Sequence, residues 1–307
     1  MHLLNHLYHH VFKSMLWVAA WTSMSQAGPF PGYQDHDVAT GLITAWANEV
    51  VGYAPTPGVT DTPGYPPGGY PPGSPAIPNN IASRGLGPAD GQTVSLGELN
   101  SSQIAAQMVP PGEITVGFSQ PVFNGPGADF AIFENAGAFY ENPYIFAELA
   151  FVEVSSNGSD FARFPAVSYN IQDNGDAVLD PNELNAPYGP SYAGVDTTNI
   201  YNLAGVHPTG SGTPMDLNEL AGNFLVTTGL VDLHRVKYVR LVDIPGNGSF
   251  FDSQSNSIFD AWETSISGGF DLDAVGAIHT VPEPAAYWLT SLVLIAFATR
   301  WRSFFRN

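Results

Sequence analysis

Carboxylates stand inside strand-forming stretches of this chain where apolar side chains belong. In Phe270–Ile278, Asp271 and Asp273 alternate onto one face, which Val275 and Ala277 continue. Side chains two residues apart on a strand are about 7 Å apart, so the two carboxylates can converge on one ion. Asp243 continues the face of Val239 and Leu241, and Glu153 continues that of Leu149 and Phe151. A two-residue turn at Asn157-Gly158 sets Glu153 opposite Ala162 and sends Arg163 to the other face. An unpartnered charge taken out of water costs many kcal/mol. Calcium, held by oxygen ligands, would satisfy several of these acids together. The alternative is that they end strands and stay solvated.

A second acidic group lies in Gln172–Glu183. Asn174, Asp176, Asp180 and Glu183 stand at ligand spacing, with Leu179 at the central apolar place. The segment resembles an EF-hand or dockerin-like calcium loop. It departs from that pattern at Gln172, where Asp is wanted, and at Ala177, where Gly makes the sharp turn; no good helix flanks it. The other reading is a plain acidic loop.

Signals for catalysis are weak, and the expectation is a protein that is not an enzyme. Gly189-Pro-Ser191-Tyr-Ala193 lacks the last glycine of a nucleophile elbow, and His207, His234 and His279 are scattered. The one enzymatic alternative pairs Glu134 with Glu153 as a glycosidase acid and base. Aromatic residues beside amides and carboxylates suit sugar binding instead. Tyr140 and Tyr144, near Glu141, and Trp262 are the candidate ligand-binding residues, with Tyr188, Tyr192 and Tyr201 in a further loop. Each could equally be core packing.

The elements that must position these groups read as strands. Glu113–Phe118, Asp129–Glu134, Phe161–Phe164, Val236–Ile244 and Phe270–Ile278 are short and β-rich, with Gly, Pro and Asn turns between them. Phe146–Ser155 is apolar on both faces and reads as one central strand buried on both sides. No convincing amphipathic helix appears. The expected class is all-β, a β-sandwich or jelly roll. Pro55–Pro78, with Tyr65-Pro-Pro-Gly and Tyr70-Pro-Pro-Gly, reads as an extended loop without ladder pairing.

Composition narrows the setting. The chain has 28 Asp and Glu, all between Gly28 and Pro284, where only Arg84, Arg163, Arg235, Lys237 and Arg240 oppose them. Such a charge repels nucleic acid and anionic membranes and attracts divalent cations. There is no cysteine, so no disulfide supports the fold.

Both ends read as targeting signals. Residues 1–27 carry a weakly basic start, an apolar stretch Met15–Met24 and Ser25-Gln26-Ala27, a signal-peptidase site before Gly28. Residues 282–307 carry Pro282-Glu283-Pro284, an apolar run, and Arg300, Arg302 and Arg306. The arginines resist translocation. This tail resembles the PEP-CTERM sorting signal of exported bacterial proteins. The resemblance implies an exosortase as partner, cleavage near Pro282-Glu283-Pro284, transient membrane anchoring through a C-terminal helix, and delivery to the cell surface or extracellular matrix. Phrases between the signals, among them Asn124-Gly-Pro-Gly-Ala-Asp-Phe, Glu148-Leu-Ala-Phe-Val-Glu-Val-Ser-Ser-Asn-Gly and Gly269-Phe-Asp-Leu-Asp-Ala-Val-Gly, look like the cell-surface ectodomains that precede such tails. That likeness covers roughly Val94–Ile278 and implies a jelly-roll ectodomain, similar to carbohydrate-binding modules; the expected domain is residues 28–281. The expected role is structural or adhesive, with extracellular polysaccharide as a possible partner and carbohydrate binding as the alternative.

Overall fold

The computed structural model describes residues 28–282, apart from residues 36, 58–62, 65–76, 79, 108, 139, 142, 177–179, 181 and 265–267. The signal segment, and the tail from Glu283 with Pro284, Arg300 and Arg302, lie outside the described residues.

Twelve strands build two sheets: β1 (Val38–Ala39), β2 (Ala45–Trp46), β3 (Glu49–Ala54), β4 (Val94–Ser95), β5 (Glu113–Val122), β6 (Phe130–Glu134), β7 (Ala150–Ser155), β8 (Ala162–Arg163), β9 (Leu203–Ala204), β10 (Ser211–Met215), β11 (Val236–Asp243) and β12 (Asp271–Ala277). One sheet runs β1-β10-β6-β12-β2, with β4 also on β12; the other runs β8-β7-β11-β5-β3, with β9 also on β7. All these pairings are antiparallel. The fold is mostly β and sandwich-like, as composition and turn chemistry suggest.

Alternation sorts the side chains. Phe130, Ile132, Leu272 and Val275 from the first sheet meet Ile114, Val116, Val152, Val154, Val239 and Leu241 from the second in the main core. The opposite face of the second sheet is also covered. Phe151, Leu203 and Val242 pack there with Ile145, Val195, Ile200 and Ile258. A strand apolar on both faces is what a sheet covered twice requires, and β7 is buried at every position.

The structure departs from the sequence reading in three places. First, Phe146–Ser155 is not one strand. Tyr144–Phe146 pairs with Gly194–Asp196 in a small separate sheet, and only Ala150–Ser155 joins the sandwich. Between them the chain crosses from one sheet to the next, and the Leu149 amide donates to Asp260 Oδ2 at 2.8 Å. Second, the hairpin after β7 has a longer loop. Asn157 Oδ1 accepts from the amides of Ser159 and Asp160. The resulting register pairs Glu153 with Arg163 and Val154 with Ala162. Third, the proline-rich insertion does pair: Pro63–Gly64 lies antiparallel to Ile77–Pro78. Proline lacks a donor but keeps its carbonyl, so two-residue pairing at an edge survives.

Candidate functional site

Six carboxyl groups gather where the two sheets and the crossing segment meet. Glu134 ends β6, Asp243 ends β11 and Asp271 starts β12. Glu148 lies in the crossing between the separate strands, Asp260 follows the strand Ser257–Phe259, and Glu98 follows β4. Glu134, Asp243, Asp260 and Asp271 are each at most 3 % exposed and Glu148 is 6 % exposed; Glu98 is half-buried. They feel one another: Asp271 acts on Glu134, Glu148 and Asp243, and Glu98 acts on Glu148 and Asp260.

Local backbone delivers these groups. Glu134 and Leu272 are partners across β6 and β12, just before a register shift in β12. Gly269, at φ +77°, turns the chain into β12 beneath Asp243, where a Cβ would lie 2.7 Å from Asp243 Oδ1. Gly246 leaves room for Asp260, whose Oδ1 would lie 1.5 Å from a Cβ there. Only glycine permits either approach.

Some of the acids are served by donors. Asp243 Oδ1 accepts from the Phe270 amide at 2.8 Å, and Glu148 Oε1 accepts from the Gly269 amide at 3.0 Å. Asn135 Nδ2 donates to Asp271 Oδ2 at 2.8 Å. Thr264 Oγ1 sits 2.6 Å from Glu148 Oε1 and 3.0 Å from Glu98 Oε2. A hydroxyl has one proton, so it serves one of the two at a time. Glu134 differs. The amides of Asn135 and Ala136 lie near enough to favour its charged form, yet neither oxygen receives a hydrogen bond of good geometry. Asp243 Oδ2 is bare as well.

The electrostatic consequence is uniform. Burial, and then the neighbouring Asp243, push the Glu98 carboxyl up to about 8. Burial pushes Asp243 up to about 8 against the help of the Phe270 amide. Glu134, Glu148 and Asp260 are raised well above the usual carboxylate range, chiefly by desolvation. Among the described residues no basic side chain pairs with Glu134, Glu148 or Asp243. Nor do any three His, Asp or Glu among the described residues surround one point at metal-ligand distance.

The residues singled out from sequence scatter across the molecule. Asp243 and Asp271 enter the cluster. Asp273 does not join Asp271: its two oxygens accept the amides of Asp90 and Gly91 at 3.1 Å each, since β12 shifts register between Leu272 and Ala274. Glu153 holds two arginines. Arg163 Nε donates at 2.8 Å and Arg240 Nε at 2.6 Å. The one-residue slip in the hairpin brings Arg163 onto its face, which corrects the expectation that Arg163 points away. In the acidic loop, Asn174, Asp176 and Asp180 are exposed. Asn174 Oδ1 accepts from the Asp176 amide, and Glu183, buried, accepts from the Asp180 amide. These are turn bonds, and Leu179 lies outside the described residues.

Aromatic residues are redistributed as well. Tyr144 is a buried strand residue, 9 % exposed. Trp262 is half-buried and donates from Nε1 to the Leu99 carbonyl at 3.1 Å, tying the Asp260–Thr264 segment to the loop that carries Glu98. Tyr140 donates to the Tyr192 carbonyl. Of the tyrosines singled out from sequence, Tyr188 and Tyr192 are exposed, at 78 % and 55 %.

Reading strands alone missed Glu98, Glu134, Glu148 and Asp260 as members of one group. The signal available was weak: Glu134 lies on a strand and Asp260 follows one, but neither has a spacing relation to Asp243 or Asp271. No protein-family model and no curated protein matches the chain. Among the described residues no helix is long and apolar enough to cross a membrane, and the apolar C-terminal run lies outside them.

Proposed function

We propose that this chain is an exported protein of the cell surface or extracellular matrix, with a jelly-roll sandwich in a structural or adhesive role and a tail processed by an exosortase. The observation that supports a structural role is the enclosure of its acids. Acid–base work on a polymer needs a carboxyl within hydrogen-bond reach of the substrate. Glu134 is buried between the sheets and Glu153 is engaged by two arginines. The enclosure of Glu134 and the two arginines on Glu153 support reading both as structural acids rather than as a glycosidase pair.

The test is fractionation of a host that carries an exosortase. The full chain should be retained at the surface, and a chain lacking Val281–Asn307 should be released folded and soluble. Equal retention of both overturns the sorting reading. Turnover in a glycoside-hydrolase panel would overturn the structural one. Carbohydrate binding is the second reading, and the exposed rings of Tyr188 and Tyr192 favour it. A glycan array separates the two: binding that disappears in Tyr188→Ala replaces the adhesive role with recognition of a sugar.

A further inference from the structure

We propose that the interior carboxylate cluster is a divalent-cation site of the calcium type, centred on Glu134 with Glu148, Asp243 and Asp271 around it. The inference rests on the structural reading of the domain and gives that structure an ion.

Glu134 carries the argument. It is 2 % exposed, and beyond the nearby Asn135 and Ala136 amides neither oxygen receives a hydrogen bond of good geometry. A polar side chain buried in this way is costly unless something compensates it. What surrounds it is more negative charge: Asp271, Asp260 and Glu148 all act on it. Asp243 adds a second bare oxygen, Oδ2, on a residue that is fully buried. Stability alone would replace such a group of acids with apolar side chains. A cation resolves the cost, because one ion satisfies several carboxylates together.

The donor set selects the ion. The four proposed side-chain ligands are all carboxylates, and the chain has no cysteine. Hard oxygen donors suit calcium, which accepts irregular, high-coordination geometry; magnesium demands near-octahedral order and keeps its waters.

The placement explains what the ion would accomplish. Glu134 and Asp271 come from the first sheet, Asp243 from the second, and Glu148 from the crossing that links the second sheet to its outer cover. One ion there ties all three.

The experiment uses the purified full-length protein, stripped with chelator and titrated with calcium chloride by calorimetry and by thermal melts. Calcium should bind and, at about 100 times its dissociation constant, raise the melting temperature by roughly 5–10 °C. Glu134→Gln should abolish both signals. In chelator that variant should melt at or above the wild type, since it removes a buried carboxyl that is costly to ionise without changing shape; this shows that it folds. The double variant Asp176→Asn, Asp180→Asn, in the acidic loop, should keep both signals. If calcium still stabilises Glu134→Gln, or if the loop variant loses the response, the ion sits elsewhere and the proposed site is wrong. If the wild type shows no calcium response, protons neutralise the cluster and the inference falls. The structural role fails on different results, hydrolase turnover or glycan binding, so the two are separable.

Discussion

Arg163 and Arg240 converge on Glu153, and both guanidinium groups also lie over aromatic rings, those of Phe151 and Phe161 at 4.2 and 4.1 Å. This small assembly satisfies one buried acid with protein groups alone. Glu153→Gln should therefore leave any calcium response intact, which equilibrium titration can check. Arg240→Ala leaves Glu153 with one partner, itself half-exposed, and should cost about 1–3 kcal/mol in denaturant unfolding. A loss as large as that of a core truncation would mean that the ring contact, rather than the charge, dominates. Gly269 is the opposite kind of residue, important for what it lacks. Gly269→Ala places a methyl against Asp243 Oδ1 and the Gly97 carbonyl at a positive φ. It should destabilise the domain by about 2–4 kcal/mol, measured by the same unfolding curves. An effect below the error of those curves would show that the turn before β12 relaxes freely.

At the scale of elements, register matters more than strand count. The loop after β7 runs one residue longer than a two-residue turn would set, and this puts Arg163 rather than Ala162 across from Glu153. Asn157 is responsible: its side chain accepts two loop amides and its Nδ2 donates to Asp160 Oδ2 at 2.8 Å. The strands themselves were legible, since β5, β6, β7, β11 and β12 fall inside or overlap stretches rich in β-branched and aromatic residues bounded by turns. Their ends were not. Residues 147–149 read as a continuation of an apolar strand, yet they form the crossing that carries Glu148 inward. Periodicity cannot report such a switch, because apolar residues are needed on both sides of it. The proline-rich insertion belongs to this scale too. Excising residues 58–76 and bridging Pro57 to Ile77 with a short Gly/Ser linker should shift the melting temperature by only about 1–3 °C, because a longer surface loop changes closure entropy slowly. A larger fall would show that the insertion packs on the sandwich.

For the whole molecule, the cluster links stability to pH. Glu98 and Asp243 are raised to about 8 in the folded chain, against about 4 for the same groups in an unfolded chain. The folded state therefore holds protons that the unfolded state releases. The stability they contribute is full below about pH 4 and is lost as pH rises toward 8. In chelator, the melting temperature should fall from pH 5 to pH 8.5. With calcium present the fall should shrink, since a cation takes the place of the protons. A flat profile in chelator would mean that these carboxyls titrate normally and that the cluster is open to water. Outside the cluster, buried acids such as Glu153 and Asp273 are held by protein donors, and the exposed ones give the domain a negative field that five bases between Gly28 and Pro284 do not offset.

Composition and local pattern were enough for the mostly-β class, the paired apolar faces of β7 and the inward position of Asp243. These follow from periodicity and turn chemistry, which are properties of neighbouring residues. What only the tertiary structure decided is which acids share a space. Glu98, Glu134, Glu148, Asp243, Asp260 and Asp271 are spread over more than half the chain, and they meet because β6 pairs with β12 while the crossing at 147–149 returns over the end of β11. A one-residue bulge removed Asp273 from that group, and a one-residue slip supplied Glu153 with arginine. Long-range pairing and single-residue shifts of register leave no local trace, so strand faces could show which carboxylates turn inward but not which of them would need the same counter-ion.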